Sequence, residues 1–324
     1  MSNAFCVTEP DWNDIEAADI AEQPFLSDDK TLIVPTQYGE LSLSISQFGL
    51  RIQSDANATD DFDMLAQSPD KQTLVYSGDK SHSTLVAGNY RLEIFASPLH
   101  FKLYKDDVLV QQSATDGHFV RQHRLPPFAK TDSGWLVSLE LSYDEAVYGL
   151  GEKWGKLDKR GQLIRSYNHD ALGVNAEKSY KNTPYAWSPE GWNLFVHTPA
   201  PVTHGVGYAL WSQRAYVCLV EDSLLDLFLF HQDSPAQSIK TYSELTGFAP
   251  KPPTWSLGVI LSKAYYKDAD ELLAVAREVR EKNMPCDVIT LDGRAWQDTD
   301  TRFAFECDPK RYEHPQPVIE ELKA

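Results

Sequence analysis

The sequence predicts two structural units in series: an antiparallel β-sandwich, then a parallel α/β unit, together an α+β multidomain chain. Two observations carry this. From Thr31 to about Leu141 the chain runs in short alternating segments separated by turn residues, the pattern of half-buried antiparallel strands. From Trp255 to Leu291 two apolar runs flank an amphipathic helix, at about the minimum length for a right-handed parallel crossover.

The sandwich strands read GELSLSI, FGLRIQ, YRLEIF, HFKLYK and WLVSLELS, with Ser-Gly-Asp, Ala-Gly-Asn and Lys-Asp-Asp among the turns. Residues 185–230 continue the pattern in WNLFVHT, GVGYALW, AYVCLV and LLDLFLF. Ahead of them, residues 1–30 carry many acids with Lys30 as the only base, which predicts an acidic N-terminal arm, mobile or loosely docked. Tyr148 to Tyr185 is too rich in glycine, charge and aromatic residues for a plain strand pair, and long irregular segments inside compact domains are commonly functional. Thr241 to Lys251 reads as a connector helix followed by prolines, which puts the domain boundary near Pro250. No internal repeat or low-complexity tract is present.

In the second unit, Trp255 to Ser262 has no polar alternation and follows a pair of prolines, as expected of a strand buried on both faces. Asp268 can cap the next helix, Glu271 completes a capping box, and Pro285 ends it. Leu272, Val275, Ala276 and Val279 recur at helical spacing and face a core. The second apolar run, Val288 to Leu291, stops abruptly on Asp292. In an α/β barrel, strand C-termini line the active site, so a carboxylate there is a candidate functional group. An Asp ending a strand can equally cap the segment that follows.

Composition sets bounds. A chain of 324 residues allows roughly two domains, and 42% hydrophobic residues can build ordinary cores. The formal net charge of −17, with no basic stripe, speaks against a nucleic-acid or anionic-membrane partner. Cys6, Cys218, Cys286 and Cys307 are scattered and form no CxxC, so they read as reduced thiols of a cytoplasmic protein. The first 25 residues lack the basic and apolar regions of a secretory signal, and no apolar run is long enough to span a bilayer. The nine histidines show no HExxH or paired spacing, and GxGxxG, P-loop and GxSxG patterns are missing, so neither a metal nor a cofactor is expected.

The stretches PPTWSLGVILSKAYYKD, PCDVITLD and FECDPKRY, with YGLGEKWGKLDKRG, RSYNHD, SYKNTPYAWSPEGWNLFVHT and TYSELTG upstream, resemble in order and spacing glycoside hydrolase family 31, the α-glucosidases, α-xylosidases and relatives. The resemblance covers more than half the chain. It implies that residues 31–250 are the family's N-terminal β-sandwich, with an active-site loop at 148–185, and that residues 251–324 are the first strand-helix units of a (β/α)8 TIM barrel. It further implies that the loop reaches over the barrel mouth and that Asp170 contacts the innermost sugar. The local alternative is an Asx-type turn at Asn168-His169-Asp170. Asp292 matches the strand-end aspartate that accepts hydrogen bonds from hydroxyls of the terminal sugar, a task that suits a carboxylate. Trp296 is a candidate platform for a sugar face, with plain packing as the alternative.

Retaining glycosidases need two carboxyl groups roughly 5 to 5.5 Å apart. In the resembled family both sit on later barrel strands, whereas this chain carries two strand-helix units, so no catalytic residue is assigned and residues 1–324 alone are expected to be inactive. Asp298, Asp300 and Asp308 match neither catalytic motif. Cys307 stands where the family more often has Trp, and LDGRAWQ departs from better-known versions of that strand. Gly293 leaves room for a hexose hydroxymethyl group, which favours glucosides over xylosides. The expected function is thus the N-terminal portion of a retaining α-glycosidase hydrolysing terminal α-glucosides. Transglycosylation and α-xyloside hydrolysis are same-family variants, and a non-catalytic carbohydrate-binding sandwich is the alternative from another class. The expected partner is an oligosaccharide or α-glucoside. Because two barrel units leave an open strand edge, self-association into a homo-oligomer is also expected.

Overall fold

Period-two alternation becomes three large antiparallel sheets in the first part of the chain, beside a two-stranded pair of Phe119–Val120 with His123–Arg124. The computed structural model describes residues 10–12, 14–55, 62–115, 119–120, 123–171, 178–263, 266–291 and 307–323. The chain divides into two compact units, Met1–Phe248 and Ala249–Ala324.

The largest sheet of the first unit has eight strands, in the order Phe25–Asp28, Thr31–Thr36, Gly39–Ser46, Gly49–Ser54, Asp226–His231, Trp192–Val196, Tyr185–Trp187 and Tyr148–Gly149. A second sheet runs Phe128–Thr131, Gly134–Glu140, Ala215–Val220, Val202–Val206 and Gln162–Ser166. A third is a meander of Val75–Gly78, His82–Ala87, Tyr90–Ala96, Leu99–Lys105 and Val108–Gln112. One apolar core joins all three, with Leu43, Ile52 and Leu229 from the first, Val137 and Val206 from the second, and Leu92 and Phe101 from the third.

The centre of the unit is buried on both faces. Leu227 and Leu229 point into that core, while Phe228 and Phe230 point the other way, into a cluster with Phe195 and Leu245. Trp135 and Val137 likewise alternate with Leu136, which joins Trp12 and Trp211. This explains why AYVCLV is continuously apolar and LLDLFLF is broken only by Asp226, whereas the meander strands alternate with one face wet.

The structure corrects several expectations. From Pro10 onward the acidic arm is docked: Ala17 bridges Ala129, Ile20 bridges Thr36, and Phe25–Asp28 is a paired strand. Its apolar residues do this, because Ala18 and Ile20 are buried and Trp12 meets Trp211 edge-on at 5.6 Å. The connector helix spans Pro235–Thr246, starting earlier than expected. Ser234 caps it by accepting from Gln237 N, and Pro235 occupies its first turn. The GVGYALW strand lies instead at Val202–Val206, since Gly207 turns the chain at φ +54° and Trp211 folds back into the core.

In the second unit the first expected strand is shorter. Thr254–Leu257 forms a 3-10 turn, in which Ser256 Oγ donates to Pro253 O, and the strand is Ile260–Lys263. It is largely exposed rather than buried on both faces. It pairs in parallel with Val288–Leu291, from Ile260 opposite Val288 to Lys263 opposite Leu291. The linking helix is Ala269–Glu281: Asp268 Oδ1 accepts from Glu271 N at 3.0 Å, and Glu271 Oε2 accepts from Lys267 N at 2.6 Å. Leu272 packs with Tyr266 and Tyr312 in a small core, which Val275, Ile289 and Val318 flank. A second helix, Pro315–Lys323, follows.

Arg51 and Asp226 lie on neighbouring strands of the eight-stranded sheet. Arg51 donates to both Asp226 oxygens, at 2.8 and 2.6 Å, and His197 Nδ1 lies 2.8 Å from Oδ2. Removing one partner of a buried pair strands the other charge. Arg51→Ala is therefore expected to cost about 3 kcal/mol of unfolding free energy, read by urea denaturation; a loss under about 1 kcal/mol would show that water replaces the guanidinium.

Candidate functional site

Tyr148–Gly149 and Tyr185–Trp187 pair at the edge of the eight-stranded sheet, and the segment between them forms a loop rooted on that pair. Its middle is also tied down, because Gln162–Ser166 joins the second sheet beside Val202–Val206. Near the root the two arms touch backbone to backbone. Leu150 N donates to Tyr185 O at 2.8 Å and Glu152 N to Lys181 O at 2.7 Å. Gly151 is required there, since at φ +75° a Cβ would stand 2.4 Å from Lys181 O.

Further out, Asn168 bridges Ser179 in parallel, and His169 N donates to Ser179 O at 3.0 Å. Asn182 locks this crossing. Its Nδ2 donates to Tyr167 O at 2.7 Å and to Ser179 O at 2.9 Å, while its backbone N donates to Asn168 Oδ1 at 2.7 Å. Amide side chains in irregular segments stand in for a ladder in this way. The Asn168 amide oxygen therefore receives its bond from across the loop.

Asp170 follows this crossing and is exposed, and Tyr180 OH donates to its Oδ1 at 2.8 Å. That bond raises the Tyr180 phenol above its usual range. The Tyr180 ring beside Asp170 is exposed, as are Trp154 and Tyr167 elsewhere in the same loop, where Tyr167 meets His169 edge-on at 4.9 Å. Within the loop Lys153 Nζ donates to Arg165 O, and Arg165 pairs with Glu221 through both guanidinium nitrogens. Burial, and then Lys178, Arg165 and Lys153, hold His169 below the ordinary imidazole value. Deeper still, His204 lies between Ser166 Oγ at 3.1 Å and Tyr216 OH at 2.8 Å, and burial drives it down to about 3, so it is a neutral core group. Burial likewise pushes Cys218 up to about 12, which makes it an inert thiol.

The sequence-derived candidates do not all fall within the described residues. Asp170 does; Asp292 and Trp296 lie outside them, as do Asp298 and Asp300, and the observed strand ends at Leu291 immediately before Asp292. Asp308 is a turn cap, accepting from Lys310 N at 3.1 Å beside Arg311. Among the described residues no group of His, Cys, Asp and Glu could hold a metal. Tyr180 and Asn182 were not singled out from sequence. The available signal was their place in a segment without periodicity, where polar side chains must satisfy the backbone.

The described part of the loop presents the Asp170 carboxylate beside the exposed Tyr180 ring, an acceptor and an apolar face that can meet a polyhydroxylated ligand. The domain described as "Glycosyl hydrolase 31 N-terminal galactose mutarotase-like domain" matches residues 40–204, and "Glycosyl hydrolases family 31 TIM-barrel domain" matches residues 249–324. The chain belongs to glycoside hydrolase family 31. It is the N-terminal portion of a family 31 protein, with an antiparallel sandwich followed by the opening of the barrel domain. It is similar to an α-xylosidase of Saccharolobus solfataricus, 33% identical over 56% of this chain and 25% of that protein. It is also similar to α-glucosidase 2 of Bacillus thermoamyloliquefaciens, 24% identical over 92% of this chain and 35% of that protein. Its fold matches the family 31 dextranase of Flavobacterium johnsoniae, in complex with isomaltotriose, at a TM-score of 0.74 and 19% identity, covering 95% of this chain and 37% of that one. The chain thus spans about a quarter to a third of the length of these curated relatives.

In this family 31 chain the loop frame depends on the Asn182 side chain, whose removal deletes two bonds across the loop, from Nδ2 to Tyr167 O and to Asn168 Oδ1, and one to Ser179 O on its own arm, each worth about 1 kcal/mol. Asn182→Ala is expected to speed hydrogen exchange at the His169 amide about tenfold or more, with the sandwich core unchanged. Unaltered protection would mean that the backbone bridge alone holds the crossing.

Proposed function

We propose that the complete protein carrying this chain is a retaining α-glycosidase that hydrolyses terminal α-glucosides, and that this chain supplies sugar-binding groups rather than the catalytic carboxylates. The observation that carries the reading is the succession, in one chain, of the family's N-terminal and barrel domains. That succession favours the enzyme over a stand-alone carbohydrate-binding sandwich. Asp170 and Asp292 each accept hydrogen bonds from sugar hydroxyls, for which an ionised carboxylate is the stronger acceptor, and Trp296 offers an apolar face to a ring. Gly293, beside Asp292 in sequence, leaves space for a hydroxymethyl group.

A second reading, α-xyloside hydrolysis, is favoured by the 33% identity to the S. solfataricus α-xylosidase. The two differ by that hydroxymethyl group, so kcat/KM for nitrophenyl α-glucoside against the α-xyloside separates them. A cytoplasmic location and self-association belong to the proposal as well. The first is supported by free thiols at Cys218, Cys286 and Cys307; the second concerns residues 1–324 alone, in which the parallel strand Ile260–Lys263 is exposed.

In the complete protein, Asp292→Ala is expected to lower kcat/KM for the preferred glycoside by about 100-fold or more, since several hydroxyls lose a charged acceptor. Residues 1–324 alone are expected to show no turnover. An unchanged kcat/KM would return Asp292 to capping the segment after its strand, and turnover by residues 1–324 would refute the assignment of catalysis to later strands.

A further inference from the structure

We infer that Tyr180 is a positioning residue that fixes the carboxylate of Asp170 for sugar binding; this rests on the reading of Asp170 as a sugar ligand. Three features of the loop carry it. First, the two residues face each other because their arms are pinned just before them: the Asn168–Ser179 bridge and the His169 N to Ser179 O bond set the spacing, and Asn182 holds both arms. The backbone thus places the phenol opposite the carboxylate.

Second, the bond runs from Tyr180 OH to Oδ1 at 2.8 Å, a good length for a hydroxyl donating to a carboxylate. It engages one oxygen and leaves Oδ2 for a second donor. A terminal pyranose presents such donors in fixed directions, so restricting the carboxylate to one rotamer removes an ordering cost that binding would otherwise bear. Third, both side chains are exposed among residues 1–324, so the carboxylate is open to a ligand.

The decisive experiment is a double-mutant cycle in the complete protein, with kcat and KM measured on nitrophenyl α-glucoside and α-xyloside for wild type, Tyr180→Phe, Asp170→Ala and the double variant. Tyr180→Phe keeps the ring and removes only the donor. It is expected to raise KM about tenfold with kcat nearly unchanged, and to add nothing in the Asp170→Ala background. Two results would overturn the inference: a Tyr180→Phe effect that multiplies with that of Asp170→Ala, or no effect where Asp170→Ala has one. If Asp170→Ala itself changes nothing, the sugar-ligand reading of Asp170 falls and takes this inference with it.

A second measurement needs no turnover. In the 324-residue chain, the Tyr180 phenol, followed by carbon-13 NMR of labelled tyrosine, is expected to titrate above its ordinary value and to return towards it in Asp170→Asn. An ordinary titration in both would show that the bond does not form.

Discussion

The pairing of Gly49–Ser54 with Asp226–His231 is the constraint on which the first unit depends. It joins strands separated by 175 positions at the Arg51–Asp226 contact, so it must be specified strongly enough to offset the closure of a long stretch of chain. Alternation on the two strands helps, because Leu50 and Ile52 share the core with Leu227 and Leu229. Register adds more. A slip by one residue would turn those side chains to the opposite face of the sheet and leave the Arg51 and Asp226 charges buried without each other. From this junction the sheet extends through Trp192–Val196 to Tyr185–Trp187 and Tyr148–Gly149, where the loop begins and ends. The ladder that holds the buried ion pair thus continues to the strand pair on which the loop carrying Asp170 is rooted.

On the proposed reading the loop combines two demands that usually conflict, since binding groups must be exposed and yet held. Its frame meets both by placing order in the backbone. Gly151 permits close approach of the arms, Asn182 supplies the cross-links a ladder would have made, and Gln162–Ser166 ties the middle into the second sheet. The exposed side chains need no core of their own. A net charge of −17 is compatible with this chemistry, because a neutral sugar is recognised by directional hydrogen bonds and ring faces rather than by long-range charge.

Much of the sandwich was legible in the sequence because its meander strands alternate with period two, as in YRLEIF and HFKLYK, and the capped Asp268 helix was legible because local signals agree there. Where both faces are buried, alternation fades; GVGYALW was misplaced because Trp211 serves a second core on the far side of its sheet. The N-terminal arm misled for a different reason. Its acids dominate the composition, yet Trp12, Ala18 and Ile20 decide its position. Ser234-Pro235 was a readable helix start that the later apolar residues obscured. In the loop, Asp170 was proposed by motif, whereas Tyr180 and Asn182 make contacts across the loop that no local periodicity encodes.

The most direct test of the functional account is a crystal structure of the complete protein with an unhydrolysed α-glucoside. The prediction is that the Asp170 carboxylate and the Asp292 carboxylate each lie within about 2.5–3.0 Å of a sugar hydroxyl. A sugar bound with neither carboxylate in hydrogen-bonding reach would contradict the assignment of sugar recognition to this part of the chain.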